Sequence, residues 1–131
     1  MLSKISVTDY MSKNVITVTP DMEVIQAIKI MLDNKITSVP VLNAQGELIG
    51  LFSEKDGVKG VVEFSYNQSM DGKVRENMTK ETPIIDFEKS VIDAAIQFQE
   101  MATRSLPVFQ EGRMVGIISR VDVMRALINL S

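Results

Sequence analysis

Two serine–aspartate pairs are the groups best suited to grip a polar ligand. Ser53 and Asp56 lie three residues apart, and so do Ser119 and Asp122. Each serine follows an apolar run, Gly50-Leu51-Phe52 in one case and Gly116-Ile117-Ile118 in the other. A buried strand ending in serine, with a carboxylate one turn on, fits the start of a helix. There the hydroxyl accepts from backbone N–H groups and the acid suits the positive helix end. The same two groups can hold a ribose diol, and the nearby N–H groups can receive a phosphate. Capping and binding are compatible. A second pair of segments, Thr37-Ser38-Val39-Pro40-Val41 and Arg104-Ser105-Leu106-Pro107-Val108, places a proline inside a strand pattern. Proline cannot donate to a ladder. It serves either to protect an edge or to leave backbone groups free for a base or phosphate.

Other chemistries lack their residues. The chain of 131 residues has no histidine and no cysteine. It therefore has no imidazole acid–base, no thiolate and no disulfide framework. Carboxylates, lysines and serines remain, but no serine has a histidine base and no cluster has metal-ligand spacing, so no enzyme activity is expected. The net charge of −3 comes from scattered charges, which disfavours nucleic acid or an anionic membrane as partner. No apolar run reaches the roughly 18 residues of a membrane helix. The opening MLSKISVTDYM has no signal-peptide core. A cytoplasmic protein without membrane insertion is the expectation.

The elements that position these groups are written twice, about 67 positions apart, with Met78 answering Met11. Pro107-Val108 answers Pro40-Val41, and after a one-residue deletion Gly116, Ser119 and Asp122 answer Gly50, Ser53 and Asp56. Residues 7–62 form one repeat, 74–128 the other, and the polar stretch 63–73 the linker. Each repeat reads strand, helix, strand, strand, helix. In the first, Val15 to Val18 is a short strand, and Thr19-Pro20 starts a helix with an apolar face of Val24, Ala27, Ile28, Met31 and Leu32. Val39-Val41 and Leu48–Phe52 make a hairpin around Asn43–Gly46, and Ser53 opens the last helix. In the second, Ile84-Ile85 is the strand and Asp86 the cap. Val91, Ala94, Ala95, Phe98 and Ala102 are the helix face, and the hairpin turns at Glu111-Gly112. The fold class is mixed α+β, with two β-α-β-β-α repeats packed sheet to sheet in pseudo-twofold symmetry. A seam between such halves is where a ligand is expected.

The frame Met-x-x-x-Val-Ile-Thr-Val-x-Pro, Val-x-x-Ala, Ser-x-Pro-Val, Gly-x-Leu-x-Gly and Ser-x-x-Asp resembles the cystathionine β-synthase (CBS) domain. Its duplication resembles the CBS-domain pair, or Bateman module, here stand-alone. The resemblance runs from about residue 6 to residue 128. Each motif is weak singly, whereas their order, spacing and repetition are specific. The resemblance implies a regulatory, non-enzymatic module that binds an adenine nucleotide (AMP, ADP or ATP) or S-adenosylmethionine, forms a homodimer, and signals to a regulated partner protein. A ligand-free dimerisation scaffold is the alternative. The family's composite clefts imply one site of Ser119 and Asp122 with Ile16, Ser38 and Val39. They imply another of Ser53 and Asp56 with Pro83, Ser105 and Leu106. The aspartates would hold ribose hydroxyls, the strand residues would flank adenine, and Arg104 would meet a phosphate. Proline at position 83 removes a backbone donor from the Asp56 site. Gly57 and Gly60 weaken the helix presenting Asp56 by about 1 kcal/mol each. The Asp122 site is therefore favoured.

Overall fold

A computed structural model describes residues 1–68 and 72–130 as two compact units. One unit is Ile16–Thr82; the other joins Met1–Val15 to Pro83–Ser131. The architecture is mixed α+β, as expected, but the units are not the sequence repeats.

The unit from Ile16 to Thr82 contains α1 (Val24–Asn34), β1 (Ser38–Leu42), β2 (Leu48–Ser53), α2 (Glu54–Asn67) and the single turn α3 (Val74–Asn77). β1 and β2 pair antiparallel, with Ser38 opposite Ser53 and Pro40 opposite Leu51. Gly46 closes the hairpin at φ +80°, where a side chain would be strained. Val18, Val24, Ala27, Met31, Val39, Val41, Phe52 and Val74 form the core. Leu32, expected on the inner face of α1, is 73% exposed.

The expected strand at Val15–Val18 shrinks to a single parallel bridge, Val18 to Val41. Val18 N donates to Pro40 O and Leu42 N donates to Val18 O, both at 3.0 Å. The next donor, toward residue 16, would be the amide of residue 40, which proline lacks. Helix α1 also starts later than Thr19-Pro20 suggests. Glu23 is its N-cap, in a reciprocal box with Gln26. The reason is competition. Pro20 O and Met22 O accept from Arg75 N and Val74 N, and Val24 N donates to Gly72 O, so residues 20–22 form a turn and Glu23 a bridge against the start of α3 and the residues before it. Residues 63–67 of the expected linker are helical, as the last turns of α2. Positions 69–71 lie outside the described residues.

The other unit contains β3 (Ile85–Asp86), α4 (Val91–Glu100), β4 (Ser105–Gln110), β5 (Arg113–Ser119) and α5 (Arg120–Leu130), preceded by 3-10 turns at Leu2–Lys4 and Val7–Asp9. β3 pairs parallel with β4, and β4 antiparallel with β5. Glu111 and Gly112 turn the hairpin at φ +51° and +77°. Ser90, not Asp86, caps α4, in a box with Asp93. Asp86 stays in the strand because the pairing runs on through Phe87 N to Phe109 O at 2.8 Å. Helix α4 ends at Glu100, so Ala102 lies beyond it and is exposed. The core is Val7, Ile85, Ala94, Phe98, Leu106, Val108 and Ile118.

The leading segment of each repeat thus packs on the other repeat's sheet. Ser12 and Ile117 exchange both backbone hydrogen bonds, as do Thr79 and Leu51. Glycine makes this approach possible. A Cβ on Gly116 would fall 2.4 Å from Met11 Sδ and 2.9 Å from Ser12 O. On Gly50 it would fall 2.7 Å from Met78 Sδ and 3.0 Å from Thr79 O. The duplicated methionines and glycines of the sequence pattern are partners in packing.

Candidate ligand-binding site

The hairpins bring the four motif serines together in pairs. In one unit Ser38 faces Ser53 across β1 and β2; in the other Ser105 faces Ser119 across β4 and β5. Each hairpin ends where the following helix begins, so each strand-end pair lies beside a helix N-terminus. Glu54 N donates to Thr37 O at 2.9 Å, and Arg120 N donates to Arg104 O at 3.1 Å. The same bond in both repeats ties the start of the helix to the residue before the Ser-x-Pro strand.

The aspartates complete this arrangement. Asp56 Oδ2 accepts from Ser53 N at 2.9 Å and from Ser53 Oγ at 3.1 Å. Asp122 Oδ2 accepts from Ser119 N at 2.8 Å, and Asp122 N donates to Ser119 Oγ at 3.2 Å. Both acids are buried, at 9% and 8% exposure. The capping role is therefore real, and it uses one carboxylate oxygen of each acid. The fate of the other oxygen differs. Arg125 Nη1 donates to Asp122 Oδ1 at 2.8 Å. Among the described residues nothing donates to Asp56 Oδ1.

The first-strand positions are backbone sites. No described group hydrogen-bonds to the backbone of Ile16 or Pro83, which agrees with pairing that stops at Pro40 and Pro107. Ile16 carries a free N–H and C=O, whereas Pro83 carries only a C=O. Val39 and Leu106 are fully buried in their strands, and Arg104 is exposed.

Gly60 has a packing function that its low helix propensity does not disclose, whereas Gly57 has room for a Cβ. Helix α2 continues through both. A Cβ on Gly60 would meet Val24 Cγ1 at 2.9 Å, so this glycine lets α2 approach α1. The sequence reading overlooked Arg120 and Arg125. Arg120 donates from Nε to Thr103 O and from Nη2 to Phe98 O and Met101 O. It thereby caps the carbonyl end of α4 and braces the loop leading to Ser105. For Arg125 the signal was present, since an acid and a base three residues apart on a helix lie side by side.

Among the described residues no group of three or more acidic side chains could hold a metal. No described helix is long and apolar enough to cross a membrane.

Comparison with known proteins gives a consistent picture. The CBS domain model matches residues 7–63 and 72–129. The uncharacterized protein MJ1225 of Methanocaldococcus jannaschii is 29% identical over 92% of the chain, which spans 42% of that protein. An inosine-5'-monophosphate dehydrogenase of Aquifex aeolicus is 32% identical over 86% of the chain, and only 22% of the enzyme is covered. Against these two relatives the chain therefore spans less than half of their length. Among solved structures, CBSX2 in complex with AMP matches with a TM-score of 0.84 and 26% identity, over 96% of this chain and 98% of that one.

Proposed function

Since the chain belongs to the CBS-domain family, a family of regulatory modules, we propose that it binds an adenine nucleotide (AMP, ADP or ATP) and reports its occupancy to a partner protein without catalysing a reaction. The observation that carries this reading is the repeated carboxylate, buried and anchored through one oxygen by its own capping serine. An acid so held is already oriented, so a diol meeting its other oxygen loses little to ordering. The likeness to CBSX2, solved with AMP, supports a purine nucleotide as the class.

Asp122 and Asp56 receive ribose hydroxyls in this proposal, with Ser119 and Ser53 fixing them. The strand starts Ser38-Val39 and Ser105-Leu106 and the unpaired backbone at Ile16 and Pro83 meet the purine, and Arg104 serves a phosphate. The Asp122 site is the stronger. The backbone donor that the family resemblance assigns to it, Ile16, is present, whereas the counterpart Pro83 has none.

The test is a thermal shift with AMP, ADP, ATP and S-adenosylmethionine. A nucleotide at 100 times its Kd stabilises the folded chain by about 2.7 kcal/mol. Asp122→Ala is expected to abolish most of the shift, whatever its own melting point. Equal shifts in wild type and variant would refute the assignment.

A specific feature favours self-association as well. Val58, Val61 and Val62 on α2 are exposed, and so are Met124 and Ile128 at the corresponding positions of α5. Apolar faces repeated in this way suit a homodimer. If light scattering finds a dimer and no nucleotide shifts the melting point, the dimerisation scaffold is the better account.

A further inference from the structure

We propose that Arg125 makes the Asp122 site select phosphorylated nucleosides over bare ones. This rests on the reading of Asp122 as the acid that holds the ribose. Asp122 Oδ2 is held by Ser119 N at 2.8 Å, and the proposal gives Oδ1 to the diol. Oδ1 accepts from Arg125 Nη1 at 2.8 Å. The carboxylate side chain is only 11% exposed, while that of Arg125 is 53% exposed. The acid is therefore fixed, and the guanidinium is the partner able to swing away into solvent.

The other repeat supplies an internal comparison. Lys59 stands where Arg125 stands, and among the described residues it makes no ion pair with Asp56. Among the described residues Asp56 Oδ1 has no donor, whereas Asp122 Oδ1 is latched by Arg125. A neutral nucleoside that takes Oδ1 from Arg125 leaves the guanidinium unpaired. A nucleotide also breaks the pair, but it brings a phosphate dianion, the ligand best matched to a planar guanidinium fork. Arg125 thus opposes adenosine and is compensated by AMP.

Calorimetric titration of AMP and of adenosine tests this in an Asp56→Asn background, which removes the second acid. An exchange of partners at a half-exposed pair is worth about two- to fivefold in affinity. Arg125→Gln is expected to tighten adenosine and weaken AMP by about that factor each, so the AMP-over-adenosine preference falls about tenfold. Arg125→Lys is expected to tighten adenosine similarly, as Lys59 makes no ion pair with Asp56 among the described residues, and to weaken AMP less. Arg125 is exposed, so both variants are expected to fold, and a melting curve checks this. If AMP binds, Asp122→Ala abolishes binding, and the preference is unchanged in Arg125→Gln, this inference falls while the proposed function stands. If AMP does not bind the wild type, or binds Asp122→Ala equally well, both fall.

Discussion

Replacing Gly116 by alanine probes the exchange of leading segments directly. The new Cβ would lie 2.4 Å from Met11 Sδ, 2.9 Å from Met11 Cγ and 2.9 Å from Ser12 O. The thioether belongs to a flexible side chain and can move. The carbonyl cannot move easily, because Ser12 O accepts from Ile117 N at 3.0 Å, one residue from the substitution. Overpacking of this kind costs about 1–3 kcal/mol, and a clash with backbone belongs at the upper end, near 3 kcal/mol. Truncating the half-buried Met11 to alanine removes the sulfur and Cγ but leaves Ser12 O in place. Gly116→Ala is then expected to cost about 1–2 kcal/mol less in a Met11→Ala background than in wild type. Urea denaturation of the four proteins of the cycle measures this coupling. The equivalent cycle with Met78→Ala is expected to be additive within about 0.5 kcal/mol, because Met78 packs on Gly50. The reverse outcome, coupling to Met78 and additivity with Met11, would show that each repeat keeps its own leading segment and would overturn the fold described above.

The two glycines of α2 should respond oppositely to the same substitution. Gly57→Ala places a Cβ at ordinary distances, 3.4 Å or more from Ile28 and Phe52, and is expected to stabilise by about 0.5–1 kcal/mol through helix propensity. Gly60→Ala meets Val24 Cγ1 at 2.9 Å and is expected to destabilise by about 1 kcal/mol or more despite the same propensity gain, as read by chemical denaturation. At the start of α4, hydrogen bonds from the Ser90 backbone and hydroxyl, with a smaller contribution from Lys89, hold the Asp93 carboxyl below its ordinary pKa. A depressed folded-state pKa gives stability that is present above the unfolded value, about 3.9, and is lost as the pH falls through the folded one. Asp93→Asn is therefore expected to flatten the acid limb of the stability profile below about pH 5. Ser90→Ala should cost about 1 kcal/mol at neutral pH.

The sequence disclosed most where one residue's chemistry decides the outcome alone. Ser53, Ser119, Gly46 and Gly112 sit where capping and turn geometry require them, and both hairpins and their helices follow. It misled where a local signal met a distant competitor. Thr19-Pro20 is a good helix start, yet the carbonyls of Pro20 and Met22 are taken by Arg75 and Val74, so the helix waits for Glu23. Asp86 is a good cap, yet the sheet still claims Phe87. The exchange of leading segments was written in the pattern too, since Met11 repeats at Met78 and Gly50 at Gly116. A periodic pattern shows that these residues matter twice, but it cannot show whether Met11 meets Gly50 or Gly116.

The exchange also bears on how a site in such a chain could be read by a partner. The segment Met1–Val15 belongs to the unit that holds Ser119 and Asp122, and residues 72–82 belong to the unit that holds Ser53 and Asp56. Ser12 is bonded to Ile117, two residues before Ser119, and Thr79 to Leu51, two residues before Ser53. Each leading segment is therefore hydrogen-bonded to the strand that delivers the candidate ligand-holding serine. A shift of that strand on ligand binding would move the segment with it, because the paired backbone groups cannot part without leaving polar atoms unsatisfied. The chain stretches just before Ile16 and Pro83 are thus the parts through which an occupied carboxylate would first be felt. Amide hydrogen exchange at Ser12 and Thr79 is the place to look for it. Protection that rises at Ser12 with AMP, and fails to rise in Asp122→Ala, is the expected signature. A nucleotide that binds tightly while Ser12 exchanges at an unchanged rate would rule this route out.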